Sequence, residues 1–117
     1  MTIEETLFAV LGDMVGGRVF PDEAPANVPR PFVIYQQVGG DPFSFLEGAA
    51  DVANGRFQIA VWSGDRGEAG ALSRAIAKRL IDDPRTRATP VSGALSSREP
   101  LTGLYGLMQD FSIWFDV

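Results

Sequence analysis

The sequence predicts one α+β domain spanning residues 1–117, in which two helices pack on one face of a four- to five-stranded, mainly antiparallel sheet. Three observations support this prediction. The chain has 117 residues and contains no repeat or low-complexity linker that would divide it. Two segments have helical periodicity, and two others alternate apolar and polar residues as half-buried strands do. The predicted order is helix, three strands, helix and two strands.

The first predicted helix begins at Thr2 and stops at Gly16 and Gly17. Thr2 and Glu5 have the spacing of a capping box, in which each side chain bonds to the other residue's backbone N–H. A glycine pair favours the end of a helix. The apolar residues that recur at helical spacing are Ile3, Leu7, Val10, Leu11 and Met14.

An extended arm separates the first two predicted strands. A brief strand is expected from Arg18 to Phe20, and four prolines then occur within residues 21–31. Proline prevents a helix there and weakens strand pairing. The next strand is predicted from Phe32 to Val38, because the segment is rich in β-branched and aromatic residues and ends at two glycines.

The segment DPFSFLEGAAD, residues 41–51, carries apolar side chains among turn-forming residues. Leaving Phe43, Phe45 and Leu46 in water would forfeit about 1.5–3 kcal/mol per side chain. Two interpretations remain open. The loop folds back over its own sheet, or a neighbouring subunit buries it.

The central prediction is a strand followed by an amphipathic helix, within residues 55–83. From Arg56 to Trp62 the residues alternate, with Phe57, Ile59 and Val61 on the predicted core face. Asp65 and Glu68 then form an acidic N-cap pair. The predicted buried stripe of the second helix consists of Ala69, Leu72, Ala75, Ile76 and Leu80, and Asp82, Asp83 and Pro84 close the helix.

Two strands complete the predicted sheet. A weak strand is expected from Thr89 to Leu95, at an edge or a bulge, because Pro90 and Gly93 interrupt it. The C-terminal run, residues 105–117, alternates again. Its predicted core residues are Leu107, Phe111, Ile113 and Phe115.

Large apolar side chains also fall on the opposite face of the predicted sheet. Trp62, Met108 and Trp114 alternate with the core residues. Because two helices cover only one face, we expect this second face to be shielded by a sister copy, or else by the proline arm or the loop carrying Phe43.

The composition excludes most simple enzyme mechanisms. The chain has neither cysteine nor histidine, so it lacks thiolate metal ligands, the commonest metal ligand and the usual proton shuttle at neutral pH. We therefore expect no enzymatic activity, no bound metal and no cofactor.

The charge argues against nucleic-acid and membrane binding. The net charge is −5 and the pI is near 4.5, whereas phosphate binding requires a clustered basic surface. Glu4 and Glu5 stand where a secretory signal would be positive, and no apolar run approaches the ~18 residues that span a bilayer. We expect the protein to stay in the cytoplasm.

Two local patterns suggest chemistry, and each has a simpler structural explanation. The segment SGDRGEAG, residues 63–70, has the place of a phosphate-binding loop but matches no such motif, and its acidic residues favour capping. Arg74, Lys78 and Arg79 form a small basic strip, but Asp82 is four residues from Lys78 and can pair with it.

Three stretches together, residues 19–40, 55–80 and 98–117, resemble the small tail completion or tail terminator proteins of long-tailed phages, prophages and gene transfer agents. The likeness covers nearly the whole chain. Its most specific residues are Pro29, Pro31, Val33, Tyr35 and Gln36, then Arg56, Gln58, Val61 and Trp62, then Leu104, Tyr105, Asp110 and Phe111.

The resemblance implies a structural virion protein. Similar proteins form rings, commonly hexameric, that sit on the head-proximal end of the tail tube, terminate its growth and join it to the head. The implied partners are sister copies, the major tail tube protein and a head connector or stopper protein, while DNA passes through without specific binding. The implied location is the tail or neck of the virion, after assembly in the host cytoplasm.

Loop residues and apolar patches are the expected contacts in such a ring. The candidate contact residues are Asp22, Glu23, Arg30, Phe43, Phe45, Leu46, Arg66 and Arg98. Two alternatives remain: a small ligand-binding or regulatory α+β domain that stays a monomer or dimer, and an enzyme that uses only carboxylates such as Asp65 and Glu68.

Overall fold

The computed structural model describes residues 1–41 and 52–116. Within these residues two α-helices and six strands are present. They are α1 (Ile3–Leu11), β1 (Val19–Pro21), β2 (Phe32–Gly39), β3 (Val52–Ser63), α2 (Arg66–Asp82), β4 (Thr89–Pro90), β5 (Leu95–Glu99) and β6 (Leu104–Asp116), and a 3-10 turn (Gly12–Met14) extends α1.

The strands form one mixed sheet in the order β1-β2-β3-β6-β4, and β5 also pairs with β6. The pairing of β1 with β2 is parallel, and every other pairing is antiparallel. The predicted α+β class is confirmed, with more strands than expected. The predicted strand from Thr89 to Leu95 is instead two short strands, β4 and β5, which both pair with β6 in registers that differ by two residues. Pro90 lies opposite Phe111 and Leu95 lies opposite Met108, so the chain bulges between them.

Strands β3 and β6 are the longest pair of the sheet. Their register runs from Val52 opposite Asp116 to Ser63 opposite Tyr105. β3 extends beyond its predicted bounds, Arg56–Trp62, at both ends, whereas β6 begins one residue before the predicted run, residues 105–117. Phe57 and Phe115 form an edge-to-face pair whose ring centroids are 6.0 Å apart, and both rings lie against Gly55, in the part of β3 that precedes its predicted start. Aromatic packing therefore extends the sheet past the Asn54–Gly55 pair, which disfavours strands.

Both helices pack on the face that carries Phe57, Ile59 and Val61, as predicted. The buried residues of α2 are Ala69, Ser73, Ile76 and Leu80. The prediction of Ala75 in the buried stripe was wrong, because the steps of four, three and four residues from Ala69 place Ser73 inward and Ala75 in solvent.

The helix ends have the predicted caps. Thr2 and Glu5 form a complete capping box, and the Asp65 Oδ2 atom accepts a hydrogen bond of 2.8 Å from the Glu68 backbone N–H. Lys78 and Asp82 form the predicted ion pair at 2.8 Å. Arg79 instead donates to the Val10 carbonyl and the Asp13 carboxylate, which ties α2 to α1.

Asp83 ends α2 and gives one testable pH dependence. Arg85 donates to its carboxylate through the side chain and the backbone, and these bonds lower the pKa of Asp83 from 3.8 to about 2. Because the folded pKa lies below the unfolded value, the stabilisation is complete above about pH 4 and disappears as the pH falls through 2. Arg85 is half exposed, so solvent weakens the interaction, and we expect the charged Asp83 carboxylate to contribute about 1–2 kcal/mol to the free energy of unfolding.

The Asp83→Asn variant should therefore be less stable than the wild type by this amount at pH 6. The difference should shrink steadily between pH 4 and pH 2, because the wild-type carboxyl becomes neutral there too. Urea unfolding of both proteins across this range measures it. A stability difference that is the same at pH 6 and pH 2 would contradict the assignment.

Candidate functional site

The sheet face away from the helices is the first candidate contact surface. The β3–β6 register places Ala60 opposite Met108, Trp62 opposite Gly106, and Asn54 opposite Trp114. Side chains of paired residues lie on one face. Trp62, Met108 and Trp114 therefore share the face opposite the helices, as the sequence predicts.

This face is apolar toward the ends of the sheet and remains partly open. Leu95 is 67% exposed and Trp114 is 51% exposed, while Trp62 and Met108 are half-buried. Gly106 leaves room for the Trp62 ring, since a Cβ there would lie 2.7 Å from a ring carbon. Both described helices pack on the other face, so they do not shield Leu95 and Trp114.

A groove lined by arginines is the second candidate surface. It lies beside α2, has a volume of about 520 Å³ and has three arginines among its lining residues. A separate groove of about 830 Å³ lies at the start of α1 and has one arginine, Arg85, in its lining. Arg66 and Arg74 enter the groove beside α2 from that helix, and Arg98 enters from β5. Gly67 and Gly70 line its helix side, where the lack of side chains leaves it open.

The three arginines of the α2–β5 groove are exposed and available to a partner. The Arg98 guanidinium lies 5.0 Å from the centroid of the Tyr105 ring, a cation–π contact. Within residues 1–41 and 52–116, none of the three forms an ion pair with a carboxylate. In a chain of net charge −5, this is a local concentration of positive charge that the acidic side chains of the described residues do not pair with.

An acidic turn follows β1 at the other edge of the sheet. Asp22 has a left-handed backbone (φ 65°), and its N–H donates to the Tyr35 carbonyl at 2.9 Å. The carboxylates of Asp22 and Glu23 are exposed and make no hydrogen bond or ion pair to the rest of the described chain. Burial raises the pKa of the Tyr35 hydroxyl, and the charges of Glu4 and Asp22 add to the effect.

The proline arm and the β5–β6 turn meet at one contact. The Arg30 Nη2 atom donates to the Thr102 carbonyl at 3.5 Å, a long bond. Beside it, Leu101 is 96% exposed at the tip of the turn. Arg30 thus holds the proline arm close to the tip of the β5–β6 turn, where the apolar side chain of Leu101 is exposed.

The structure brings together two of the predicted contact residues, Arg66 and Arg98, in one groove. It places Asp22 and Glu23 together in the acidic turn, and Arg30 apart from both. Phe43, Phe45 and Leu46 lie outside the described residues. Their contact roles stay predictions.

The surfaces described above include Arg74, Leu95 and Leu101, which are not among the contact residues predicted from the sequence. Arg74 could have been predicted from the sequence, because Arg66, Gly70 and Arg74 are spaced four residues apart and therefore lie on one face of the helix. Leu95 and Leu101 could not have been, since their exposure depends on how β5 pairs at the sheet edge.

The residues considered for chemistry have structural partners. Ser63 donates its hydroxyl to the Glu68 carboxylate at 2.6 Å and accepts the Asp65 N–H at 3.1 Å, so both acids organise the start of α2. In the part of the chain that the structure describes, no group of three or more acidic side chains is placed to hold a metal ion. Neither described helix is long and apolar enough to cross a membrane.

An open sheet face, an arginine groove and an acidic turn on a small α+β domain are typical of a protein that works through contacts with other proteins. The sequence matches the family of tail completion protein gp17 over residues 7–116, essentially the whole chain. The chain therefore belongs to the phage tail completion protein family, whose role in the tail is structural. Among curated proteins, none matches the chain.

Proposed function

We propose that this protein forms a hexameric ring on the head-proximal end of a phage-like tail tube, where it ends tube growth and joins the tail to the head. One side of the ring binds the major tail tube protein, and the other binds a head connector or stopper protein. Assembly takes place in the cytoplasm of the bacterial host, and the ring becomes part of the tail or neck of the virion.

The observation that carries this proposal is the partly open apolar sheet face in a chain of the tail completion family. Leu95 and Trp114 remain more than half exposed on it. Covering each of them would contribute about 1–2 kcal/mol, since roughly half of a large apolar side chain is still in water. A ring repeats such a contact at every subunit, which multiplies the gain.

The charge of the protein also supports a ring around DNA. A channel through which DNA slides must avoid a firm grip on phosphates, and binding strength rises with each phosphate that a lysine or arginine neutralises. The 15 acidic residues outnumber the ten lysines and arginines, and this net charge of −5 fits a channel wall that DNA passes without binding.

Tube growth in vitro provides the test. Purified tube protein is allowed to polymerise with and without this protein, and tube lengths and ends are measured by electron microscopy. We expect shorter tubes, each with a ring at one end, and a higher oligomer in sedimentation. Unchanged tube lengths with bare ends, together with a monomer at high concentration, would overturn the proposal.

The apolar face is tested in the same assay by Leu95→Asp and Trp114→Asp. Each is expected to reduce the fraction of capped tubes at least tenfold while leaving the far-UV spectrum unchanged, because the side chains are exposed in the single chain. The control is Ile81→Asp, an exposed apolar residue on α2, which should cap normally. Equal capping by the three variants would remove the sheet face from the proposal.

A further inference from the structure

We infer that the arginine groove of one subunit binds the acidic turn, Asp22 and Glu23, of the next subunit in the ring. This inference rests on the proposed ring and names the contact that closes it. The groove is the α2–β5 site lined by Arg66, Arg74 and Arg98.

The two surfaces lie on opposite edges of the same sheet. The acidic turn directly follows β1, the first strand in the sheet order, while Arg98 belongs to β5, which pairs with β6 on the side away from β3. Four strand spacings of about 4.8 Å separate them, roughly 19 Å. Surfaces that differ and lie on opposite edges meet head to tail, which is the arrangement that closes into a ring.

The charges of the two surfaces are complementary. The groove offers three guanidinium groups without carboxylate partners, and the turn offers two carboxylates without cationic partners, within the described residues. Guanidinium groups bind carboxylates through paired hydrogen bonds. The glycines that line the groove let a backbone turn approach, and the left-handed residue Asp22 makes the turn project.

A second copy explains this pair of surfaces better than a separate acidic protein does. Both halves of the contact are present on one chain, and neither forms an ion pair with the part of the chain that the structure describes. A groove for a foreign acidic segment would leave the acidic turn without a role. Exposed ion pairs are individually worth only about 0–1 kcal/mol, so the repeated contact gives register and specificity more than raw affinity.

Charge reversal with complementation tests the inference. Arg98→Glu in the groove and Glu23→Lys in the turn are each expected to raise the concentration needed for ring formation at least tenfold, as measured by sedimentation at low salt. The controls reverse the same charges elsewhere. They are Arg87→Glu, which is exposed and makes no ion pair with the described residues, and Asp116→Lys, which is exposed at the far end of β6. Both controls should assemble like the wild type.

An equal mixture of the Arg98→Glu and Glu23→Lys proteins should regain assembly to within about threefold of the wild type. In a ring of alternating subunits, the unchanged groove of the Glu23→Lys protein binds the unchanged turn of the Arg98→Glu protein. The next contact joins the altered groove to the altered turn, with both charges reversed. A ring with an even number of subunits allows this alternation. The inference is overturned if each variant assembles like its control, or if the mixture stays as impaired as its components.

Cross-linking provides a second measurement that does not depend on charge. The chain has no cysteine, so Glu23→Cys and Ser96→Cys, an exposed groove residue, introduce single reactive sites. In wild-type-like rings these two proteins should form a cross-linked dimer, whereas Asp116→Cys with Ser96→Cys should not, because Asp116 lies at the far end of β6. Rings that form and cap tubes without this cross-link would refute the inference and leave the proposed function standing.

Two further outcomes separate the inference from the proposed function. If Arg98→Glu rings form normally but fail to cap tubes, the groove binds the tube protein, and the contact between copies is wrong. If the wild-type chain neither forms rings nor caps tubes, the proposed function itself fails.

Discussion

Replacing Phe111 by alanine is expected to lower the free energy of unfolding by about 3–5 kcal/mol. Phe111 is 1% exposed and is the largest of the fully buried side chains among the described residues. It lies opposite Phe57 on β3 and Pro90 on β4, so its ring fills space between the centre of the sheet, its edge and the helices. The loss combines the lost transfer free energy with the cost of the cavity that remains.

Urea unfolding at pH 7, monitored by circular dichroism, measures this loss. The control on the same strand is Trp114→Ala, which removes a larger ring from a half-exposed site and should cost about 1–2 kcal/mol in the isolated chain, because only half of the ring is buried. A single-chain domain has only about 5–15 kcal/mol of stability, so Phe111→Ala should be close to unfolding at elevated temperature. Equal losses for the two variants would mean that the assigned core face is wrong.

Replacing Leu80 by alanine is the second large effect, with an expected loss of about 2–5 kcal/mol. Leu80 is fully buried near the end of α2, and its carbonyl accepts both the Thr86 hydroxyl at 2.7 Å and the Ala88 N–H at 2.9 Å. The side chain therefore packs where the turn after α2 leads back to the sheet. A cavity there weakens the packing of α2 on the sheet and the contacts that hold the turn between α2 and β4.

The neighbouring residue provides the matched control for this prediction. Ile81 follows Leu80 in α2 but is 42% exposed, so Ile81→Ala should cost less than about 1.5 kcal/mol. Thermal unfolding of both variants, with the wild type at the same concentration, gives the comparison. If Ile81→Ala proves as costly as Leu80→Ala, the helix is rotated relative to the orientation described here.

Periodicity predicted the elements whose local pattern matches their surroundings. The alternation around Phe57, Ile59 and Val61 gave the central strand and its core face, and the spacing of Ile76 and Leu80 gave the buried side of α2. The prediction failed at Ala75, because small residues carry little hydrophobic signal and packing decided that Ser73 faces inward. It also failed at the strand from Thr89 to Leu95, which pairing with β6 divides into two.

The sequence predicted individual contact residues but not how they combine into surfaces. Arg66 and Arg98 were selected from the sequence as separate loop and surface residues. Their shared groove depends on β5 pairing with β6 beside α2, a contact between segments about 30 residues apart in the chain. Arg74 joins them only once the rotation of α2 is known.

The sequence by itself determined the α+β class, the helix caps and the core face of the central strands, because each of these depends on residues close together in the chain. It also determined the likeness to tail completion proteins, which depends on the order and spacing of residues along nearly the whole chain. The tertiary structure decided the strand order, the division at the β6 edge and the placement of arginines and acids on opposite edges of the sheet. These depend on pairing between distant segments, where packing and register select among arrangements that local patterns leave equivalent.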